Sequence, residues 1–187
     1  INVTDTSIAR PASNSVLGFT LHQQMGKHFL LKLTTAASVF TNDINSSEVE
    51  ATDKGVIKLI DAFNVNTSTQ FHYAVDGSFG YTGNNFGIGA AYKRISPDYK
   101  SMGVYFVTND VEQYTLIPSV NLWKRKIRLG GSVGFEHDNL AANRSFQTER
   151  VIGSANVSIN PSPVFGITGN YYNYSIGQIQ GIKQLND

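Results

Sequence analysis

The chain reads as all-β: an antiparallel up-and-down transmembrane β-barrel, with about eight strands in these residues and more expected beyond them. Three observations predict it. Apolar and small polar residues alternate with period two over most of the chain. Eight such runs are each roughly 9–12 residues long, close to the ~9–11 a tilted strand needs to cross a bilayer. The connections between runs alternate strictly, short then long, the pattern of outer-membrane barrels with tight turns on one side and long loops on the other.

The strands follow in order. The first, about 15–23, sets Leu17, Phe19 and Leu21 against Gly18, Thr20 and His22. The second, about 28–40, sets Phe29, Leu31, Leu33 and Val39 against Lys32, Thr34, Ala36 and Ser38. The third, about 68–81, sets Phe71, Tyr73, Val75 and Phe79 against His72, Ala74, Asp76 and Ser78. The fourth, about 86–95, sets Phe86, Ile88, Ala90 and Tyr92 against Gly87, Gly89, Ala91 and Lys93. The fifth, about 112–123, has Tyr114, Leu116 and Val120 opposite Thr115 and Ser119, and Pro118 inside it predicts locally missing pairing. The sixth, about 127–136, has Leu129, Val133 and Phe135 opposite Arg128, Ser132 and Glu136. The seventh, about 149–160, and the eighth, about 164–174, continue the alternation with Val151, Val157, Phe165, Ile167 and Tyr171. Tight connections fall at 24–27, 82–85, 124–126 and 160–163, and long ones at about 41–67, 96–111 and 137–148.

Alternation alone does not say which face is inside. The composition of the polar face does. Charged residues are only 16% of the chain, against ~25% in a typical soluble domain. The polar face is mostly Gly, Ser, Thr, Ala and Asn, which suits a cramped lumen better than a water-facing exterior. The apolar face is then expected to meet lipid. Tyr81, Phe86 and Phe165 would anchor it near the tight turns, and Tyr73, Tyr92, Tyr114 and Tyr171 toward the long loops, as two interfacial girdles. A soluble lipocalin-like binding barrel, with the apolar face inward, is the competing reading.

Composition narrows the chemistry. The 187 residues suffice for one domain, taken as a single barrel segment over 1–187 with loop-like ends at 1–14 and 175–187. A net charge of +1 gives no electrostatic case for nucleic acid. There is no cysteine, so thiol catalysis and disulfides are excluded. No apolar run is long enough for a membrane-spanning helix. The start "INVTDTSIARPASNS" lacks the basic and apolar regions of an export signal, which is therefore expected upstream or already removed. With the long loops outside, both ends of the strand series also lie outside. The chain is accordingly expected to be an internal part of a larger barrel, with a complete eight-stranded barrel as the alternative.

The segment 86–140, above all "YKRISPDYKSMGVYF" at 92–106, resembles outer-membrane β-barrel proteins of Bacteroidota. "NVNTSTQFHYAVDGSFGYTGNNF" and "ERVIGSANVSIN" are similar to that group as well. The resemblance implies a fold and a location, the bacterial outer membrane, and brings no catalytic residues. Lys93 and Met102 depart mildly from the group's pattern.

Candidate site residues follow from the faces. Lys32, His72, Asp76, Lys93, Arg128 and Glu136 are the lumen-facing titratable positions, suited to internal ion pairs or to biasing ions in a channel. His22, His28, His72 and His137 have no metal-ligand spacing, so no metal and no cofactor is expected. The glycine clusters lack the Lys-Ser/Thr ending of a phosphate loop, and no Gly-x-Ser-x-Gly elbow is present, so an enzyme is not expected. In the loop 41–67, Val56, Leu59, Ile60 and Phe63 recur at helical spacing and form a candidate partner-contact surface. The expected partners are outer-membrane lipids and other outer-membrane proteins or lipoproteins. The expected role is a structural or assembly component of a larger outer-membrane complex for transport, secretion or protein insertion; the alternative is a porin-like channel for small solutes.

Overall fold

The structure, a computed structural model, describes residues 11–49, 63, 65–102 and 108–180. It is all-β. The strands are β1 (Ser13–Met25), β2 (Phe29–Thr41), β3 (Thr69–Thr82), β4 (Phe86–Ile95), β5 (Val111–Leu122), β6 (Ile127–Asp138), β7 (Phe146–Ser162) and β8 (Phe165–Gln180). They form one up-and-down sheet in chain order, with β1 and β8 as its edges. The sheet is not closed among the described residues, so the barrel expectation holds for strand order and direction and not for closure.

Pairing extends several strands past the limits of their alternation. β7 begins at Phe146, and β8 runs to Gln180 rather than 174. Thr148↔Gln178 and Phe146↔Gln180 keep the ladder going past those limits. The loop-like end expected from 175 therefore starts no earlier than 181, and Ser13 and Asn14 belong to β1. Pro118 behaves as its missing N–H requires: the β5–β6 ladder skips Ile117 and Pro118 while keeping its register on either side.

Three of the tight turns fall where expected, and the fourth, expected at 160–163, lies at 163–164 because β7 runs on to Ser162. Gly26 takes a positive φ of 63° between β1 and β2. Gly83 N–H donates to Phe86 O at 2.8 Å between β3 and β4. Between β5 and β6, three successive non-glycine residues, Trp123, Lys124 and Arg125, have φ of 52°, 55° and 67°. Gly131 on β6 lies so close to β7 that a Cβ would sit 2.7 Å from the Ser154 carbonyl oxygen.

The chain divides into two compact units, residues 1–17, 37–72 and 100–107 in one and 18–36, 73–99 and 108–187 in the other. In the first, a polar knot orders the chain between β2 and β3. Asn66 Nδ2 and Ser68 Oγ both donate to Asp43 O, at 2.8 and 3.0 Å, and Thr41 and Thr69 share a 2.8 Å hydroxyl contact. In the same unit Ser38, almost fully buried, donates to Lys100 O at 2.7 Å and meets Asn14 Nδ2 at 2.8 Å. Asn14 Oδ1 in turn accepts from Met102 N–H at 3.0 Å, and Lys100 Nζ sits 5.1 Å from the Phe40 ring centroid.

In the second unit, Asp110 ties down the β6–β7 connection. Its carboxylate accepts from Leu140 N–H at 2.8 Å and Asn139 N–H at 3.2 Å, and pairs with Arg144 at 3.1 Å. There is almost no apolar core: among the described residues only Tyr99 and Val111 are buried hydrophobics.

Candidate functional site

The two faces of the sheet are the candidate site, and cross-strand register defines them. On one face run Tyr92↔Tyr114↔Phe135↔Val151, Ala90↔Leu116↔Val133↔Gly153 and Phe86↔Val120↔Leu129↔Val157. Leu122↔Ile127↔Ile159↔Ile167 ends this face at the tight turns. Its large side chains are uncovered: Phe79 is 46% exposed, Leu116 50% and Phe135 60%. Small residues at Gly77 and Ala90 leave a shallow groove of about 680 Å³ between Leu33, Val75, Phe79, Leu116 and Val133.

Aromatic contacts mark both ends of this face. Near the turns, Tyr81 packs against Phe29 at 5.2 Å and Phe86 at 5.3 Å between ring centroids. Toward the loops, Tyr92 and Tyr114 meet at 5.1 Å. Tyr73 lies at the loop end, where its N–H and C=O bond Ser96, and Phe165 opens β8 beside its turn. Tyr171 is misplaced by the sequence reading. It stands opposite Ala155, two pleats nearer the tight turns than Val151 in the Tyr92 row. The reason is length: β8 extends to Gln180, so Tyr171 is mid-strand rather than near its end.

Above the tyrosine pair, the apolar face stops at a charged row that the sequence reading missed. Arg94, Glu112, His137 and Glu149 are successive cross-strand partners. Glu112 accepts from Tyr92 OH at 2.6 Å and Arg94 Nη1 at 3.0 Å, and its other oxygen is 3.3 Å from His137 Nε2. The signal was present: Arg94 continues the parity of Phe86, Ile88, Ala90 and Tyr92. From Tyr114 to Leu122 the apolar stretch of β5 spans about 27 Å at ~3.4 Å per residue. Tilted by the ~40° of membrane barrels, that is about 20 Å, near the ~25 Å apolar band of such proteins.

The opposite face is mostly small and polar from β3 to β6, and carries large side chains on β8, where Tyr172, Tyr174 and Ile176 stand on it. Rows here read Ser78↔Ala91↔Thr115↔Gly134 and Gly80↔Gly89↔Ile117, and Ser132 Oγ meets Ser154 Oγ at 2.8 Å. Three of the candidate charges fall in one row: Asp76↔Lys93↔Gln113↔Glu136↔Arg150. Arg150, not singled out from sequence, pairs with Glu136 at 2.6 Å. Lys32 lines the same face beside Ser78 and Gly80. Arg128 is remote from that row, paired with Asn121 and Ser158 beside the tight turns. His72 sits near the loop end of β3 with its Nε2 buried and without a hydrogen-bond partner among the described residues. Of the candidate partner-contact residues, Val56, Leu59 and Ile60 lie outside the described residues, and Phe63 is half-buried. No group of three or more His, Asp or Glu among the described residues could hold a metal ion.

The chain matches no protein-family model, no curated protein and no solved structure.

Proposed function

We propose that this chain is part of the wall of an integral outer-membrane β-barrel, acting as a structural or assembly component of a larger outer-membrane complex. One observation carries the reading: a continuous face of large apolar side chains lies uncovered, with almost no buried core among the described residues. In water a patch of this extent drives association or aggregation. In a bilayer it is the surface lipid requires, and the Arg94–Glu112–His137 row gives it a polar upper limit. The open edges at β1 and β8 demand closure, since lipid leaves unpaired backbone groups unsatisfied. Strands beyond these eight, from the same polypeptide or a partner, supply it.

The structural role is supported by ordered loop contacts, the 100–102 segment bonding Asn14 and Ser38. The channel reading has its own support in the Asp76, Lys93, Glu136 and Arg150 row on that face. The test is fractionation of the full chain after export in a Gram-negative host. It should stay with the outer membrane through alkaline washing, need detergent for extraction, and migrate with other outer-membrane proteins on native gels. A chain that is monodisperse in buffer without detergent would sink the membrane reading; a lone conducting barrel would replace the assembly role with the channel.

A further inference from the structure

The charge of this chain is sorted along its strands. The segments 21–33, 78–90, 118–131 and 158–169, which hold the four tight turns and the strand ends beside them, contain none of the fourteen Asp and Glu residues. They contain six of the fifteen Lys and Arg: Lys27, Lys32, Lys124, Arg125, Lys126 and Arg128. A formal +6 therefore sits at the tight-turn end and −5 in the remainder of a chain whose net is +1. All six are exposed, and among the described residues none has an ion-pair partner.

The β5–β6 turn concentrates this charge. Trp123, 73% exposed, is followed by Lys124, Arg125 and Lys126. Three of these four residues hold left-handed backbone that Asn, Asp or Gly would fill with less strain. The side chains kept there are instead long cations beside an indole, directly below the last apolar pair, Leu122↔Ile127. An indole at the edge of an apolar band next to unpaired cations is the chemistry of a headgroup layer carrying negative charge.

We infer that the 123–126 turn docks on the headgroups of anionic phospholipids in the leaflet at the tight-turn side. This rests on the membrane reading above and adds a lipid class to it. The cations draw the phosphates, the indole lies among the glycerol and upper acyl groups, and the tight-turn segments hold no carboxylate to oppose the attraction.

Trp123 is the only tryptophan, so its fluorescence reports this turn alone. The full chain is reconstituted into vesicles of phosphatidylethanolamine and phosphatidylglycerol in which one lipid or the other carries brominated chains. Quenching should be stronger with brominated phosphatidylglycerol, through an enrichment of about fivefold per cation at low salt, and the preference should shrink at high salt. Replacing Lys124, Arg125 and Lys126 together by Ser should make the two lipids equal quenchers, whereas Lys124→Arg with Lys126→Arg should retain the preference. Equal quenching in the unaltered chain, or a preference that survives the triple Ser change, overturns the inference and leaves the membrane reading intact. A control places Leu116→Trp in a Trp123→Phe chain. Quenching at 116 with none at 123 would also overturn the inference and assign the cations to an acidic protein partner. Quenching at neither position would overturn the membrane reading itself.

Discussion

Leu116 lies on the apolar face between Ala90 and Val133, one pleat inside the Tyr114 row and three pleats from Leu122 at the turn-side end, with half its surface exposed. If that surface meets hydrocarbon, Leu116→Arg should cost about 2 kcal/mol, the lower end of the penalty for a cation at the midplane of a membrane barrel. Leu122, at the turn-side limit of the same strand, should tolerate the change for about 0–1 kcal/mol because its side chain can reach the headgroups. Urea unfolding of both variants in lipid vesicles measures the difference. Equal penalties would mean that depth in the bilayer does not set the cost, and the assignment of this face would fail. Residues of this type were legible in the sequence because parity is a local property. Arg94 and Glu112 were legible by the same rule but fell at the ends of their runs, where alternation looks finished. Their pairing with His137 depends on the register of three strands, which no local pattern encodes.

Strands and their connections show a second limit of the sequence. The eight strands and four tight turns follow from alternation and from turn residues such as Gly26 and Gly83. The long connections do not, because their order comes from side chains meeting across distant positions. Asp110 is the clearest case. Sequence gives an unremarkable "TND"; the structure gives a buried carboxylate at positive φ that satisfies two N–H groups of the β6–β7 connection and Arg144. Asp110→Ala strands those donors and puts a Cβ residue without a local hydrogen bond in left-handed backbone. It should cost about 2–4 kcal/mol in urea unfolding, from charge-assisted bonds lost and buried donors left unpaired. It should also open 139–144 to protease. Asp110→Asn keeps the backbone preference and one acceptor, and should cost about half as much. Unchanged protease resistance in Asp110→Ala would show that the loop is held by other contacts.

For the whole molecule, the decisive question is whether the small-residue face borders water that ions can cross. Asp76, Lys93, Glu136 and Arg150 share one row, but only Glu136 and Arg150 form an ion pair. Lys93 and Asp76 stand opposite each other without one, so Lys93 is the charge most able to act on a passing ion. At about 8 Å from an ion path in water, one unit charge changes an ion's energy by about 0.5 kcal/mol. Lys93→Glu swaps a positive for a negative unit, so it should raise local cation concentration and lower anion concentration, each by about fivefold. In a planar bilayer holding the full chain, the zero-current potential in a salt gradient should then move toward cation selectivity. Glu136→Gln should move it the other way by less, because it leaves Arg150 unpaired and positive. If the barrel is plugged, neither chain conducts. Lys93→Glu then registers only as a loss of about 0.2–1 kcal/mol of stability, from like charges placed opposite each other at Asp76. A conducting barrel whose reversal potential ignores both substitutions would remove this row from the lumen, and with it the assignment of inside and outside to the two faces.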